Sequence, residues 1–593
     1  MRPYRYMGEF ESKLNALIKT DARFLDQDGE VLRASVVDAA YKGDSALVEL
    51  LLGFDEAKIK FFSDVKGVLA FKTADFVAYI EDKNFLNDSY TRFKNKIGLT
   101  IDGKFFGERG EVALTWPFKD CVLEGGMTKE DQKRKEIFFN EILAQDEIDK
   151  LFTPKVLTNW KRYTAKGEEK INKLKRDESG LIKENLVIKG NNLLALHTLK
   201  QQFAEKVKLI YIDPPFNTGT DSFLYNDGFS HSTWLTFMKN RLEIAKQLLT
   251  RDGNVFIHID VNESHYLKIL CDEVFGRENF VEEITWAYGS ASGGRAAGAK
   301  PVNIHDYILH YAREYSSRKQ NKIHTPYTDK YVEDWFKYTD KDGRRYRRRM
   351  RERNEKGEVV WEKQYLDESK GVPLTTVWTD IRQVYADPRA YKENQREHTE
   401  LMDGFSTQKP ERLMQRILEM ATDPGDIVLD YHLGSGTTAA VAHKMGRQYI
   451  GTEQLHYEHN GSVPRLQKVI KGDTAGISKE VGWKGGGDFV YAELMRYNEL
   501  FIGDIETAKD TNALLKIWQR MKEEAFFKFS VEMQAFENSI DTFKTLPLDK
   551  QKKILCGVLD KNQLYVNLSE IDDAEFKIAK ADQQATKEFY DGR

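Results

Sequence analysis

The stretch that most constrains this chain is Lys208–Asn217, which reads Lys-Leu-Ile-Tyr-Ile-Asp-Pro-Pro-Phe-Asn. Val207, Leu209, Ile210 and Ile212 form a short apolar run, the pattern of a strand buried on both faces of a parallel sheet. Pro214 and Pro215 have no backbone donors and fix φ, so the strand stops there in a stiff turn. Open α/β sheets bind ligands at the carboxyl ends of their strands. The Asp213 carboxylate, the Pro214 carbonyl and the Phe216 ring are therefore expected to project together into a crevice. The plain alternative is a strand-to-loop turn without chemistry, and a second motif has to choose between them.

That motif lies downstream. Asp426–Asp430 has the pattern of a buried strand, followed by Tyr431-His432-Leu433-Gly434-Ser435-Gly436-Thr437-Thr438 and a small-residue helix over 439–445. Gly446–Glu453 then supplies another strand, ending in an acid. Strand, glycine turn, helix, strand and acid is the order of a dinucleotide-style fold: the glycines let backbone approach a ligand, and Glu453 is placed for ribose hydroxyls. Gly-x-Gly alone is weak evidence. Inside this frame, and paired with Asp-Pro-Pro-Phe, it is strong.

Together these motifs resemble the amino-methyltransferases that act on nucleic acid, whose tetrapeptide is Asp/Asn/Ser-Pro-Pro-aromatic and whose cofactor loop reads Asp-x-Phe-x-Gly-Ser-Gly-Thr-Thr. The resemblance implies S-adenosylmethionine as cofactor and Asp213, Pro214, Pro215 and Phe216 as the catalytic element. It implies cofactor contacts from Asn191, Asp213, Lys409, Asp430, Gly434, Ser435, Gly436, Thr437, Thr438 and Glu453. Two departures stand out: Asn191 replaces the acid of the usual Gly-Asp, and His432 replaces the customary Phe. Thr407-Gln408-Lys409-Pro410 matches the family's Gln-Lys-Pro element at the methionine end of the pocket. The catalytic prolines precede the cofactor glycines, the order of the circularly permuted β class, in which the intervening segment recognises the target.

The forms Ile-Lys-Gly-Asn-Asn, Asp-Pro-Pro-Phe-Asn-Thr-Gly and Leu-Gly-Ser-Gly-Thr-Thr, with long extensions on both sides, are most similar to the modification subunit of type III restriction-modification systems. That resemblance implies adenine N6 in double-stranded DNA as target, a homodimer, and a separate helicase–nuclease partner. Cytosine N4 is the alternative target, which that subfamily commonly marks with Ser at the first motif position. A non-catalytic DNA-specificity module is the alternative class, and intact Asp213, Phe216, Gly434 and Gly436 speak for the enzyme.

The expected fold is a doubly wound, Rossmann-like α/β methyltransferase core with an inserted α+β target-recognition domain and mostly helical extensions. The expected divisions are 1–180 (interaction), 181–314 (catalytic half), 315–405 (target recognition), 406–460 (cofactor half) and 461–593 (helical). With 593 residues the chain needs several cores. Helical spacing recurs over 9–18, 37–52, 193–203 and 237–249, and short strands are expected over 61–79. Leu514, Trp518, Met521, Ala525 and Phe529 fall on one helix face. Lys166–Arg176 reads as a solvated helix face or a linker.

Three cysteines without paired spacing indicate neither a disulfide framework nor a zinc site, which fits a reducing cytoplasm. No metal ligand set is evident: His258 and Asp260 share a strand face but lack a third ligand. No apolar run is long enough to span a membrane.

Net charge is −4, so a nucleic-acid surface must be local. Residues 315–405 hold 20 Lys and Arg against 17 Asp and Glu, and Arg344–Arg353 places seven arginines in ten residues. Arg344, Arg345, Arg347, Arg348 and Arg349 are expected to contact phosphates. The glycine-rich strip 288–300, with Arg295 and Lys300, is either a DNA-closing segment or a passive linker.

Overall fold

The computed structural model describes residues 10, 13–25, 31–65, 68–81, 100–101, 104–105, 112–116, 139–143, 148–171, 173–217, 231–289, 301–384, 400, 402, 407–455, 461–529 and 531–591. The chain divides into two compact units, Met1–Glu108 and Arg109–Arg593. In the first, Arg33–Lys42, Ser45–Leu52, Asp55–Phe61 and Thr73–Glu81 are helical. Asp44 caps the second of these, accepting from the Leu47 N–H at 2.9 Å. The strands expected over 61–79 are one hairpin, Phe62–Val65 against Val68–Phe71, after which the chain turns helical. Leu14, Ile18, Leu47, Leu51, Phe61 and Phe76 meet in this unit's core.

The second unit is built on an 11-stranded sheet. In chain order it begins with β1 (Leu157–Thr164), β2 (Gly167–Glu169), β3 (Leu186–Lys189), α1 (Asn192–Phe203), β4 (Val207–Ile212) and α2 (His231–Leu248). Next come β5 (Leu249–Ile259), α3 (Ser264–Phe275), β6 (Phe280–Ala287) and β7 (His305–Ala312). An insert follows, comprising α4 (Asp329–Trp335), β8 (Tyr338–Thr339), β9 (Arg345–Arg353) and β10 (Val359–Tyr365), and then the short β11 (Val377–Trp378). The sheet resumes with α5 (Glu411–Ala421), β12 (Ile427–Asp430), α6 (Thr437–Lys444), β13 (Gln448–Glu453), α7 (Ser462–Ile470) and β14 (Asp488–Leu494).

The strand order is β11-β6-β7-β5-β4-β12-β13-β3-β14-β1-β2. β5, β4, β12, β13, β3 and β14 run parallel, and β7 is antiparallel to its neighbours. Leu209, Ile210 and Ile212 are fully buried, as a central parallel strand requires. The chain leaves β4 towards β5 and leaves β12 towards β13, on opposite sides. The crevice between the carboxyl ends of β4 and β12 is therefore the topological switch point, where such sheets bind ligands.

Three expectations are corrected. Residues 157–169, read as part of an N-terminal interaction domain, supply two strands, β1 pairing with β14 and β2 with β1. The charged stretch from 166 is thus an edge strand followed by irregular chain, not a helix face. The C-terminal segment, read as helical, contributes β14 to the interior of the sheet, where Phe489, Val490, Ala492 and Leu494 of Asp488–Leu494 are buried. In the helix Thr511–Glu524, Leu514, Trp518 and Met521 are buried as expected, whereas Phe529 lies beyond the helix and is fully exposed.

Candidate active site

β4 delivers Asp213 to the switch point. The turn after it is held from α2, where the Trp234 indole N–H donates to the Pro215 carbonyl at 2.8 Å. Asp213 Oδ2 accepts from Lys409 Nζ at 2.6 Å, whereas the buried Oδ1 has no protein partner. Lys409 Nζ also lies 5.1 Å from the centre of the Phe216 ring. The Gln-Lys-Pro element therefore clamps the Asp213 carboxylate as well as leading into α5. Asn217, in the left-handed region at φ 59°, donates to Glu263 Oε1 at 2.5 Å, and His231 Nδ1 lies 2.7 Å from the same oxygen.

Phe216 stacks on His258, centroids 5.8 Å apart and planes 15° from parallel. His258 is fully buried, with Nε2 3.0 Å from Asp306 Oδ2 and Nδ1 3.1 Å from the Tyr211 hydroxyl. A carboxylate only accepts, so the ring carries a proton on Nε2, directed at Asp306. Asp260, expected on the same face, instead closes a local turn with the Asn262 N–H at 2.9 Å. The packing of His258 under Phe216 was not evident from its strand motif. Its partner Asp306 sits 48 positions away on a neighbouring strand.

β12 and α6 carry the glycine loop. Gly434 and Gly436 both have positive φ, 51° and 79°. A Cβ on Gly436 would sit 2.8 Å from the Ser462 Cβ, so only glycine lets the loop approach α7 this closely. Asp430 accepts from the Thr438 hydroxyl at 2.7 Å and from the His432 N–H at 3.0 Å. Glu453 accepts from the Gly434 N–H at 2.7 Å and the Leu455 N–H at 2.8 Å. Burial pushes the Asp430 carboxyl up to about 7, and the nearby Asp213 and Glu453 carboxylates add to the effect. Burial likewise raises Glu453 above the usual range. A groove of about 330 Å³ opens beside Glu453, between the β3–β14–β1 face and the start of α7.

Ser435, Thr437 and Thr438 are buried and tie the loop to the protein. Thr437 donates to the Lys409 carbonyl at 3.1 Å and accepts from Arg465 at 2.8 Å. Arg465 and Lys444 both donate to Glu411 at 2.9 Å, and the Glu411 N–H donates to Glu400 at 2.7 Å. Burial opposes ionisation of Glu411, yet Arg465 and Lys444 hold it below the usual carboxylate range. Glu400, lacking comparable partners, is pushed up to about 7, first by burial and then by Glu411.

The two departures from the motif have structural uses. Asn191 caps α1, its Oδ1 accepting from the Leu193 N–H at 3.1 Å, while its own N–H donates to the Tyr565 hydroxyl. The half-buried His432 lies against Phe237, rings 5.9 Å apart. Burial drops its imidazole to about 3, with Arg241 contributing, so it serves as a neutral ring.

The arginine run forms one strand, β9, whose successive side chains point to opposite faces. Arg344 is held by Asp367 at 2.7 and 2.8 Å and by Glu368. Arg345 donates to the Val332 and Phe336 carbonyls, and Arg347 to Gln364 and the Tyr331 hydroxyl. Arg348 lies over the Tyr338 ring at 4.9 Å, and Arg349 is exposed. Arg344, Arg345 and Arg347 are thus bonded within the insert, whereas Arg348 and Arg349 remain exposed. Arg295 and Lys300 lie outside the described residues. Among the described residues no cluster of His, Cys, Asp and Glu could hold a metal ion, and no helix is long and apolar enough to cross a membrane.

Residues 207–463 match the DNA methylase family, and residues 44–99 match the methylation subunit of type III restriction/modification enzymes. The chain is 35% identical to the probable type III restriction-modification enzyme HindVI Mod subunit of Haemophilus influenzae, over 95% of each chain. It is 29% identical to the EcoP15I Mod subunit of Escherichia coli, over 48% of this chain and 59% of that one. Among solved structures, an M1.HpyAVI–SAM complex aligns with TM-score 0.28 at 18% identity, covering 47% of this chain and all of the other. With a near full-length relative at that identity, this chain belongs to the family of Mod subunits, the methylation subunits of type III restriction-modification enzymes.

Proposed function

We propose that this chain transfers a methyl group from S-adenosylmethionine to N6 of an adenine turned out of duplex DNA, serving as the modification and specificity subunit of its restriction system. The observation that carries this reading is Asp213. One of its oxygens is pinned by Lys409, and the other is buried at the end of β4 with no partner in the protein. An exocyclic amine is a poor nucleophile because its lone pair is delocalised into the ring. Asp213 Oδ1 and the Pro214 carbonyl can each accept one N–H, turning the nitrogen towards tetrahedral geometry. Phe216, backed by His258, would stack on the base. The catalytic contribution is positioning in line with the donor.

The residues present fit the cofactor. Asp430 and Glu453 place two carboxyl groups at this edge, beside the Asp213–Lys409 pair. When ionised, they suit a ligand with sulfonium and ammonium centres. Asp430 and the 434–438 loop would hold the methionine and ribose portion, and Glu453 the ribose hydroxyls next to the groove. When bound, S-adenosylmethionine supplies an electrophilic methyl group on its sulfonium. A homodimer and a separate helicase–nuclease subunit are the partners that membership of this family supports.

The test is to incubate the protein with duplex DNA and labelled S-adenosylmethionine and to identify the modified nucleoside by mass spectrometry. N6-methyladenine is expected, and N4-methylcytosine would reassign the target. Asp213→Ala should lower the single-turnover rate more than about a hundredfold while cofactor affinity changes less than about threefold. Activity within about tenfold of wild type, a barrier change of only ~1.4 kcal/mol, would sink the catalytic role of Asp213.

A further inference from the structure

We propose that the bare face of the β9–β10 hairpin reads the base sequence of the DNA target, with Trp361, Met350, Arg348 and Lys363 as its base-facing residues. The inference rests on the DNA-methylating reading above and assigns its specificity to a particular surface.

The two faces of the small sheet differ sharply. On one, Arg347 bonds Gln364 and the Tyr331 hydroxyl, and α4 with the buried Phe336 packs beneath it. On the other, Tyr338, Tyr346 and Tyr365 lie side by side across three strands, with centroids 5.5 and 5.7 Å apart. Arg348 sits 4.9 Å over Tyr338, and Lys363 Nζ lies 4.5 Å over Tyr346. Further out, Met350 pairs with Trp361, and these side chains are 49% and 58% exposed. The strand positions of this face carry arginine and lysine but no carboxylate; the nearest acid is Asp340, just beyond β8, which bonds Tyr365 and faces Lys363. An exposed apolar pair among cations is costly to leave in water and complementary to a polyanion.

The dimensions favour duplex DNA as the occupant. β8 pairs only with Arg345 and Tyr346, so from Arg347 outward the element is a two-stranded ribbon. A two-stranded ribbon is what the major groove of B-DNA admits. The ribbon is also preorganised at its tip, where Asn354 Oδ1 accepts from the Lys356 and Glu358 N–H groups at 3.0 and 2.9 Å. The chemistry suits base edges: Arg348 and Lys363 can donate to guanine O6 and N7, while Met350 and Trp361 can pack on thymine methyl groups. Alternation along β9 thus divides the arginine run, with Arg348 on the reading face and Arg349 on the opposite one.

The test uses the full-length protein and a duplex library with randomised sequence, methylation being mapped at single-base resolution. Trp361→Ala and the double variant Arg348→Ala/Lys363→Ala should each lower the preference for the cognate site at least about tenfold. Cofactor affinity should be unchanged, and Trp361→Ala should weaken random-duplex binding less than about threefold. Trp361→Phe, which keeps an aromatic face, should retain most of the preference and guards against misfolding of the hairpin. Undiminished selectivity in both Ala variants would overturn the proposal, as would a parallel loss on cognate and random duplexes. A changed molecular mass by light scattering would overturn it too, by assigning this face to protein contact. Methyl transfer by the wild type to any adenine preserves the catalytic reading whichever way the hairpin variants fall.

Discussion

Raising pH from 6 to 8 is expected to tighten S-adenosylmethionine binding about tenfold in the wild-type protein, and much less in Asp430→Asn. Burial, reinforced by Asp213 and Glu453, raises the Asp430 carboxyl to about 7. It is then roughly 90% protonated at pH 6 and roughly 10% at pH 8. A cationic ligand favours the ionised form, so affinity should rise as pH passes upward through 7 and level off above 8. With a pKa near 7 the apparent dissociation constant changes about tenfold over that interval, or ~1.4 kcal/mol. The ligand's own amino group, with a pKa near 8, titrates equally in both proteins, so the difference between them isolates Asp430. Calorimetric titration at pH 7 in buffers of different ionisation enthalpy should also register release of about half a proton. A flat affinity profile in the wild type, or an equal slope in Asp430→Asn, would refute the reasoning. The same shift has a stability consequence of opposite sense. Because the folded pKa is raised from 3.8, the folded state holds the extra proton between about pH 4 and 7, and stability of the cofactor-free protein should fall across that window.

His258→Asn should remove the stacking support of Phe216, lowering kcat and slowing extrusion of a fluorescent base analogue at the target position while cofactor affinity holds. Unchanged base-flipping kinetics would assign His258 to packing alone. Arg465→Met leaves the buried carboxylate of Glu411 with Lys444 as its remaining cation and should cost about 3–5 kcal/mol in urea melts, since breaking one side of a buried ionic network strands a charge. A loss under about 1 kcal/mol would show that the network relaxes. In the C-terminal segment, Trp518→Ala should cost about 3–5 kcal/mol and Phe529→Ala within about 0.5 kcal/mol, as burial dictates. Similar losses at the two positions would contradict the packing of that helix.

The features read from the sequence were those whose cause is local. An apolar run stopped by two prolines specifies a buried strand and a stiff turn at Asp213–Phe216 without knowledge of the rest of the chain. The glycines at 434 and 436, with φ positive in both, announce a turn for the same reason. The order of these two motifs then implied which strands flank the switch point. What tertiary structure decided were pairings between residues far apart in the chain. Lys409 reaches Asp213 across 196 positions, and β1 joins β14 from a segment whose sequence resembled an outlying domain. The arginine run is instructive in another way: its composition gave a charge, but only pairing with β10 decided which arginines share a face and which are consumed by Asp367, Gln364 and Tyr331. Periodicity and backbone stereochemistry act over a few residues and are written along the chain. Pairing depends on which distant surfaces exclude water together, and that is settled only when the whole sheet closes its core.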